Sequence, residues 1–235
     1  MPEPLITVIT PTTGKDSLKK LMDSLDNQTA PFVHILLWDD KREDSYLFPE
    51  SGESSVADPL AISTSREDSI RRSYILPGTF VQGTAYGSAL RAVGLMAANT
   101  PYVTFADDDV WFEKTHLEEL VELLKYTNTE WGYGVRKIWT NSGEYLGEDH
   151  FESVGADSKK RVPYEMIDNN TMIFTRRFGA SAAVLYRETK DYNDDRLMYV
   201  FLKKYAGLPS TTSKATINQT CPAKLEDFFR QGCIK

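Results

Sequence analysis

The first half of the chain alternates between two kinds of apolar pattern. In "PLITVITPTTG", Leu5, Ile6, Val8 and Ile9 form a short buried-strand pattern that Pro11 and Gly14 stop. In "DSLKKLMDSLDNQT", Leu18, Leu21, Met22 and Leu25 share one face at helical spacing, with Asp16 or Ser17 placed to cap it. "FVHILLW" is almost continuously apolar and ends at Asp39-Asp40, which predicts a second strand. Strand, helix and strand joined by short links predict a βαβ unit, hence a parallel sheet covered by helices.

Residues 41–70 break this rhythm: rich in Ser, Asp, Glu and Pro and without a sustained period, they read as a surface insertion. "RSYILPG" reads as a third strand, and a loop with Gly78, Gly83 and Gly87 leads to "SALRAVGLMAAN". There Leu90, Val93, Gly94 and Ala97 share a helical face, and Gly94 predicts close packing on the sheet. "PYVTFADDD" is the fourth strand. In "THLEELVELLKY", Thr115 and Glu118 stand at capping-box spacing, with Leu117, Leu120, Val121 and Leu124 as the buried stripe. Further on, Gly132, Gly134, Gly143 and Gly147 punctuate a stretch that suits antiparallel ribbons. "MIFTRRFGASAAVLYRE" reads as two strands around Gly179. "DDRLMYVFLKKYAG" reads as a helix with Leu197, Val200 and Phe201 inward and Gly207 as its stop.

Composition narrows the function classes. With 235 residues the chain has room for a substantial core, and a net charge of −7 argues against a general nucleic-acid binder. "MPEPLITVIT" has no basic start and apolar run, and no stretch approaches the ~20 apolar residues of a membrane span, so a cytoplasmic protein is expected. Cys221 and Cys233 make neither a CxxC motif nor a disulfide framework and read as free thiols. His34, His116 and His150 are scattered, which speaks against zinc; His34 lies in a strand and reads as structural.

In an open α/β sheet, ligands sit beyond the carboxyl ends of the strands. Three such ends carry distinctive residues here: Thr10 to Thr13, Asp39-Asp40, and Asp107, Asp108 and Asp109. Three carboxylates at one strand end repel one another unless a cation neutralises them. Oxygen ligands suit Mg2+ or Mn2+, which are commonly held by one or two carboxylates with substrate phosphates completing the shell. The acidic cluster thus predicts a divalent metal and a phosphorylated ligand together.

"ITVITPTTGKDSLKKLMDSLDNQT", "HILLWDD", "GSALRAVGLMAANTPYVTFADDDVWFEKTHLEELVELL" and "DDRLMYVFLKK" follow one another in an order that resembles the family 2 glycosyltransferases of the GT-A fold. "ALRAVGL" is similar to that family's Ala-Ala-Arg-Asn-x-Gly helix opening, and "VTFADDDVW" to its strand with the DxD motif. The resemblance implies one GT-A domain, a mixed and mostly parallel sheet flanked by helices, with a nucleotide-sugar half at 1–110 and an acceptor half at 111–235. It implies an inverting, metal-dependent, hexosyltransferase-type enzyme that moves a sugar from a nucleoside diphosphate, UDP in first place, to a hydroxyl on a glycan or lipid-linked acceptor. Surface polysaccharide assembly is the setting that the likeness implies.

Carried over by position, Thr10 and Pro11 would start the loop beside the nucleotide, Asp40 would meet the base with Asp39 next to it, and Arg91 would lie near the diphosphate. Asp107 and Asp109 are the outer acids of the DxD, Asp109 matching the direct metal ligand, and Asp108 would sit near ribose or sugar. Asp194-Asp195 falls where the family places its general base, with Asp195 preferred. Ala92 stands where the family often has Asn, and Lys41-Arg42 replace its usual Gly-Ser. Trp131, Tyr133 and Trp139 read either as an acceptor platform or as packing, and Arg176-Arg177 as a solvated edge or an anion contact. The C-terminal "KLEDFFRQGCIK" reads as an amphipathic helix; its few cations favour docking on the domain over peripheral contact with a membrane. Two rival readings are a sugar-phosphate nucleotidyltransferase, for which "TPTTGKDS" is a poor phosphate loop, and a non-catalytic nucleotide-sugar binding module.

Overall fold

The computed structural model describes residues 3–40, 67–77, 87–149, 166–187 and 194–234. Lys41-Arg42, most of the predicted insertion and His150 lie outside the described residues. Three strands run parallel at the centre: β1 (Ile6–Thr12), β2 (Phe32–Asp40) and β4 (Tyr102–Phe105), with β3 (Ile70–Pro77) parallel beyond β2. In register, Ile6 of β1 faces Phe32 on one side and Tyr102 on the other. The sheet continues past β4 in antiparallel fashion through β8 (Met172–Thr175), β6 (Trp131–Trp139), β7 (Tyr145–Asp149) and β10 (Cys233–Ile234). β9 (Ser210–Thr220) runs parallel to β6 and antiparallel to β5 (Val110–Phe112). The expected mixed α/β sheet is therefore present.

Alternation along the central strands assigns a core to each face. Ile6, Val8, Phe32 and Leu36 pack with Leu18, Leu21 and Leu25 of α1 (Ser17–Asp26) and with Leu117, Leu120 and Leu124 of α3 (His116–Thr127). Ile9, Val33, Ile35 and Leu37 face the other way, towards α2 (Ser88–Ala97), α4 (Arg176–Arg187) and α5 (Asp194–Tyr205). A small third cluster of Ile138, Leu146 and Cys221 receives Phe229 from α6 (Glu226–Gly232). The C-terminal helix thus docks on the domain, as its sparse cations suggested.

Gly94 in α2 allows the close approach predicted for it. A Cβ there would lie 2.4 Å from Ile9 Cγ2 and 3.0 Å from Leu37 Cδ1. Gly94→Ala is expected to destabilise the fold by about 1–3 kcal/mol through overpacking, read as a lower urea midpoint at unchanged slope. An unchanged midpoint would show that the helix simply shifts away.

Several expectations need correction. "MIFTRRFGASAAVLYRE" is one strand and one helix, β8 then α4, instead of two strands. Gly179 does not break it, because it sits inside α4 where a Cβ would meet Phe174 at 3.0 Å and Leu95 at 3.2 Å. Small residues there let α4 lie close against α2 and the sheet. In α5, Phe201 packs half-buried on the core as expected, but Leu197 and Val200 are 39% and 51% exposed, and Met198, Tyr199 and Leu202 are the buried residues. Thr115 makes no capping bond to the α3 backbone; its hydroxyl donates to Glu119 at 2.9 Å. Trp131, Tyr133 and Trp139 make no common platform: Trp131 is fully buried in the core, Tyr133 packs beside that core, and Trp139 joins Trp111 and Tyr145. Of the two readings of Arg176-Arg177 the solvated edge holds: both are exposed, and Arg177 pairs with Glu130.

Candidate active site

The site lies where β1, β2 and β4 end. β1 runs to Thr12, so Thr10 and Pro11 belong to the strand and not to the loop after it. Thr10 turns its hydroxyl into the protein, 3.0 Å from His34 Nε2, and Arg71 Nε donates to His34 Nδ1 at 2.9 Å. Burial and the charge of Arg71 hold that imidazole neutral, confirming His34 as structural. Within the Thr10 to Thr13 stretch it is Thr12, given no role of its own in the sequence reading, that reaches the acids: its hydroxyl donates to Asp108 Oδ2 at 2.8 Å. Lys15 Nζ donates to the other oxygen, Asp108 Oδ1, also at 2.8 Å. Asp108 is only 4% exposed, so both oxygens are committed to protein. Asp39 is half-buried at the end of β2, and Asp40 follows it opposite Pro77 of β3.

Asp107 is gripped from two directions. Arg91 donates to one carboxylate oxygen, and Asn170 Nδ2 donates to the other at 3.2 Å while Asn170 Oδ1 accepts the Asp107 N–H at 2.7 Å. Asn170 comes from a single helical turn, Asn169–Thr171, just before β8. Arg91 also donates through Nη1 to Asp194 Oδ2 at 3.0 Å, where the Ser88 hydroxyl joins it at 2.9 Å. One guanidinium therefore ties the acidic loop to the first residue of α5. Burial works against its charge, yet Asp107 and Asp194 keep Arg91 firmly protonated. The approach of α2 that delivers Ser88 and Arg91 depends on Gly87, at φ 77°, where a Cβ would come within 2.8 Å of Pro11.

Two acids are left without such commitments. Asp109 Oδ1 is buried with no hydrogen-bond partner among the described residues. Burial, with the charges of Asp107, Asp108 and Asp168, pushes its pKa up to about 7 against the pull of Lys15. Asp195 stands beside the committed Asp194. Burial, then the charges of Asp168, Asp194 and Asp107, push its pKa well above the ordinary carboxylate range, with Arg91 pulling the other way. Carboxyls perturbed in this way are candidates for chemistry. The sequence reading missed Lys15, Ser88, Asp168 and Asn170, whose types carry no local signal of a site.

Among the described residues no group of three or more His, Cys, Asp or Glu forms a ready-made metal cage. The donor set still fits a hard cation of the Mg2+ or Mn2+ kind, since a buried carboxylate oxygen of Asp109 is open to a proton, a water or a metal. Such an ion takes one or two protein carboxylates and completes its shell with phosphate oxygens.

The sequence profile of the family described as Glycosyl transferase family 2 matches residues 81–189. No curated protein matches the chain. Among solved structures, the fold is similar to the crystal structure of S. aureus TarS 1–349, at 19% identity and a TM-score of 0.65, covering 95% of this chain and 61% of that one. The same TarS fragment in complex with UDP-GlcNAc aligns at 18% identity and a TM-score of 0.63, covering 92% of this chain and 58% of that one. Its complex with UDP aligns at 19% identity and a TM-score of 0.63, covering 95% and 62%. The chain thus spans less than two thirds of the length of each of these TarS chains. The fold is GT-A, and no helix among the described residues is long and apolar enough to cross a membrane.

Proposed function

We propose, from the GT-A fold and the match of residues 81–189 to the family 2 glycosyltransferase profile, that this protein is an inverting, metal-dependent transferase moving a sugar from a nucleoside diphosphate, UDP in first place, to a hydroxyl acceptor. The observation that carries this reading is a pair of acids that both feel the charges of Asp107 and Asp168: Asp109 with its unpartnered buried oxygen, and Asp195 with its raised pKa. The likeness to TarS chains that hold UDP-GlcNAc and UDP supports the choice of donor.

The roles follow from the chemistry each group has free. Asp109 would hold the cation, with Asp107 beside it. A divalent ion bound there would stabilise the departing diphosphate as a Lewis acid. Asp39 and Asp40, ending β2 next to β1, would accept from the base of the nucleotide. Arg91, fixed by Asp107 and Asp194, would supply positive charge along the phosphates without having to reorganise. Asp195 would take the proton of the acceptor hydroxyl as the sugar moves, on the face opposite the departing diphosphate. A glycan or lipid-linked sugar in surface polysaccharide assembly is the acceptor class that fits a hydroxyl nucleophile.

A thermal-shift screen against UDP-, GDP-, dTDP- and CMP-sugars, each with Mn2+, Mg2+ or EDTA, tests the reading. A ligand at a hundredfold excess over its Kd adds about 2.7 kcal/mol, which moves the Tm by several degrees. The expected result is a shift with a UDP-sugar in Mn2+ or Mg2+ that EDTA removes, with UDP released on turnover. No shift with any donor would overturn the proposal, and release of pyrophosphate from a nucleotide and sugar phosphate would replace it with nucleotidyl transfer.

A further inference from the structure

Arg136 lies in mid-β6, 2% exposed, with acceptors from three separate elements around its guanidinium. Nε donates to Asp149 Oδ2 at 2.7 Å, and Nη1 donates to Gln219 Oε1 at 2.6 Å and to Asp168 Oδ2. Phe229 of α6 covers the same group, its ring centroid 5.6 Å from Cζ. A buried ion pair of this kind adds little stability over an apolar replacement. What it does supply is a fixed position for Asp168.

Asp168 passes that position on. Its Oδ1 accepts the N–H of Asn170 at 2.8 Å, and its carbonyl accepts the N–H and hydroxyl of Thr171 at 3.0 and 2.8 Å. One carboxylate oxygen thus closes the Asn169–Thr171 turn, while the other anchors the turn to β6. On the far side, the Tyr186 hydroxyl donates to Asn169 Oδ1 at 2.9 Å. A turn held in this way presents the Asn170 amide to both the N–H and the carboxylate of Asp107.

We propose that Arg136 and Asp168 are positioning residues, fixing the turn whose Asn170 sets the orientation of Asp107 and, through it, of the acidic loop. The catalytic consequence rests on the function proposed above; the structural one does not. The chain of contacts runs from Phe229 of α6 and Gln219 of β9, through Arg136, Asp168 and Asn170, to Asp107 and the acidic loop.

Amide hydrogen exchange of Arg136→Met, read residue by residue, tests the structural half. The Asp107 amide, which donates to Asn170, is expected to exchange at least tenfold faster, while Ile9 and Phe105 in the neighbouring strands keep their protection. Arg136→Lys should recover part of it. On UDP-sugar turnover, kcat is expected to fall 10- to 100-fold with the donor KM within threefold. If Arg136→Met does not fold, Asp168→Asn decides by the same criteria, since it keeps an oxygen for the turn and leaves Arg136 its bond to Asp149. Unchanged exchange at Asp107, a uniform rise at every amide, or full kcat in a variant with a freed Asp107 would each overturn the proposal. A wild-type protein that turns over no donor would sink the proposed function, yet the exchange result would still decide this inference.

Discussion

Asp195→Asn is expected to lower kcat by about a thousandfold while leaving the donor affinity within twofold. The neighbouring Asp194 is the weaker base, because Arg91 and Ser88 both donate to its Oδ2 and stabilise its charge. Asp195 carries the raised pKa, and a carboxylate whose conjugate acid is weaker than usual is a stronger base towards a hydroxyl proton than an ordinary carboxylate. The pH profile follows with a definite sign. Asp195 must be ionised to accept a proton, so kcat/KM should fall tenfold per unit as pH drops below its pKa. In Asp195→Asn that limb should vanish from whatever residual rate is left. Calorimetric titration with a UDP-sugar and Mn2+, alongside steady-state kinetics, separates binding from chemistry. Turnover of Asp195→Asn within tenfold of wild type would remove Asp195 from the mechanism.

Asp109→Asn is expected to inactivate the protein and yet stabilise it at pH 8 in EDTA. An aspartate moved from 3.8 to about 7 by folding holds its proton more tightly in the native state. The native state is therefore favoured below about pH 4, loses that advantage as pH rises through about 7, and above that carries the full cost of a buried charge. A shift of this size corresponds to at most ~4 kcal/mol, and relaxation of the loop leaves about 1–3 kcal/mol for Asn to recover. The gain should fade as the pH is lowered to 4, where the wild-type carboxyl is neutral too. Denaturant melts at pH 8 and pH 4 measure it directly. A variant less stable than wild type at pH 8 would mean that the Asp109 charge has compensation in the native fold, and the case for a cation there would lose its physical basis.

What could be read from the chain in advance was whatever its own neighbours dictate. α1, α2 and α3 show through spacing alone, since Leu18, Leu21 and Leu25 or Leu117, Leu120 and Leu124 must share a face wherever the helix packs. Asp107 to Asp109 announce themselves because three adjacent carboxylates are hard to explain otherwise. α4 was misread because short apolar runs around a glycine suit strand and helix equally. The arbiter is contact with Leu95 and Phe174, of which Leu95 comes from a distant part of the chain. The α5 face was read correctly at Phe201 but not at Leu197 and Val200, for a similar reason: these look as apolar as Met198 and Leu202, and only the neighbouring elements decide which turn inward. The supporting shell had no local signature at all. Thr12 and Lys15 stand 96 and 93 residues from Asp108, and Asn170 stands 63 from Asp107. Threonine, lysine and asparagine occur everywhere, so pairing them with the right acid needs the fold.

The place of β8 in the sheet bears on synthesis. β1, β2 and β4 all lie within the first 105 residues, but the far edge of β4 is covered by β8, whose residues 172–175 come much later. A ribosome that has released the acidic loop therefore holds a nascent sheet whose β4 backbone groups still lack partners on that side. Exposed strand edges of this kind recruit other chains, and pairing over such separations is slow. The interval between emergence of residue 105 and residue 175 is thus when a chaperone has most to protect, and slowing translation there should lower the soluble yield.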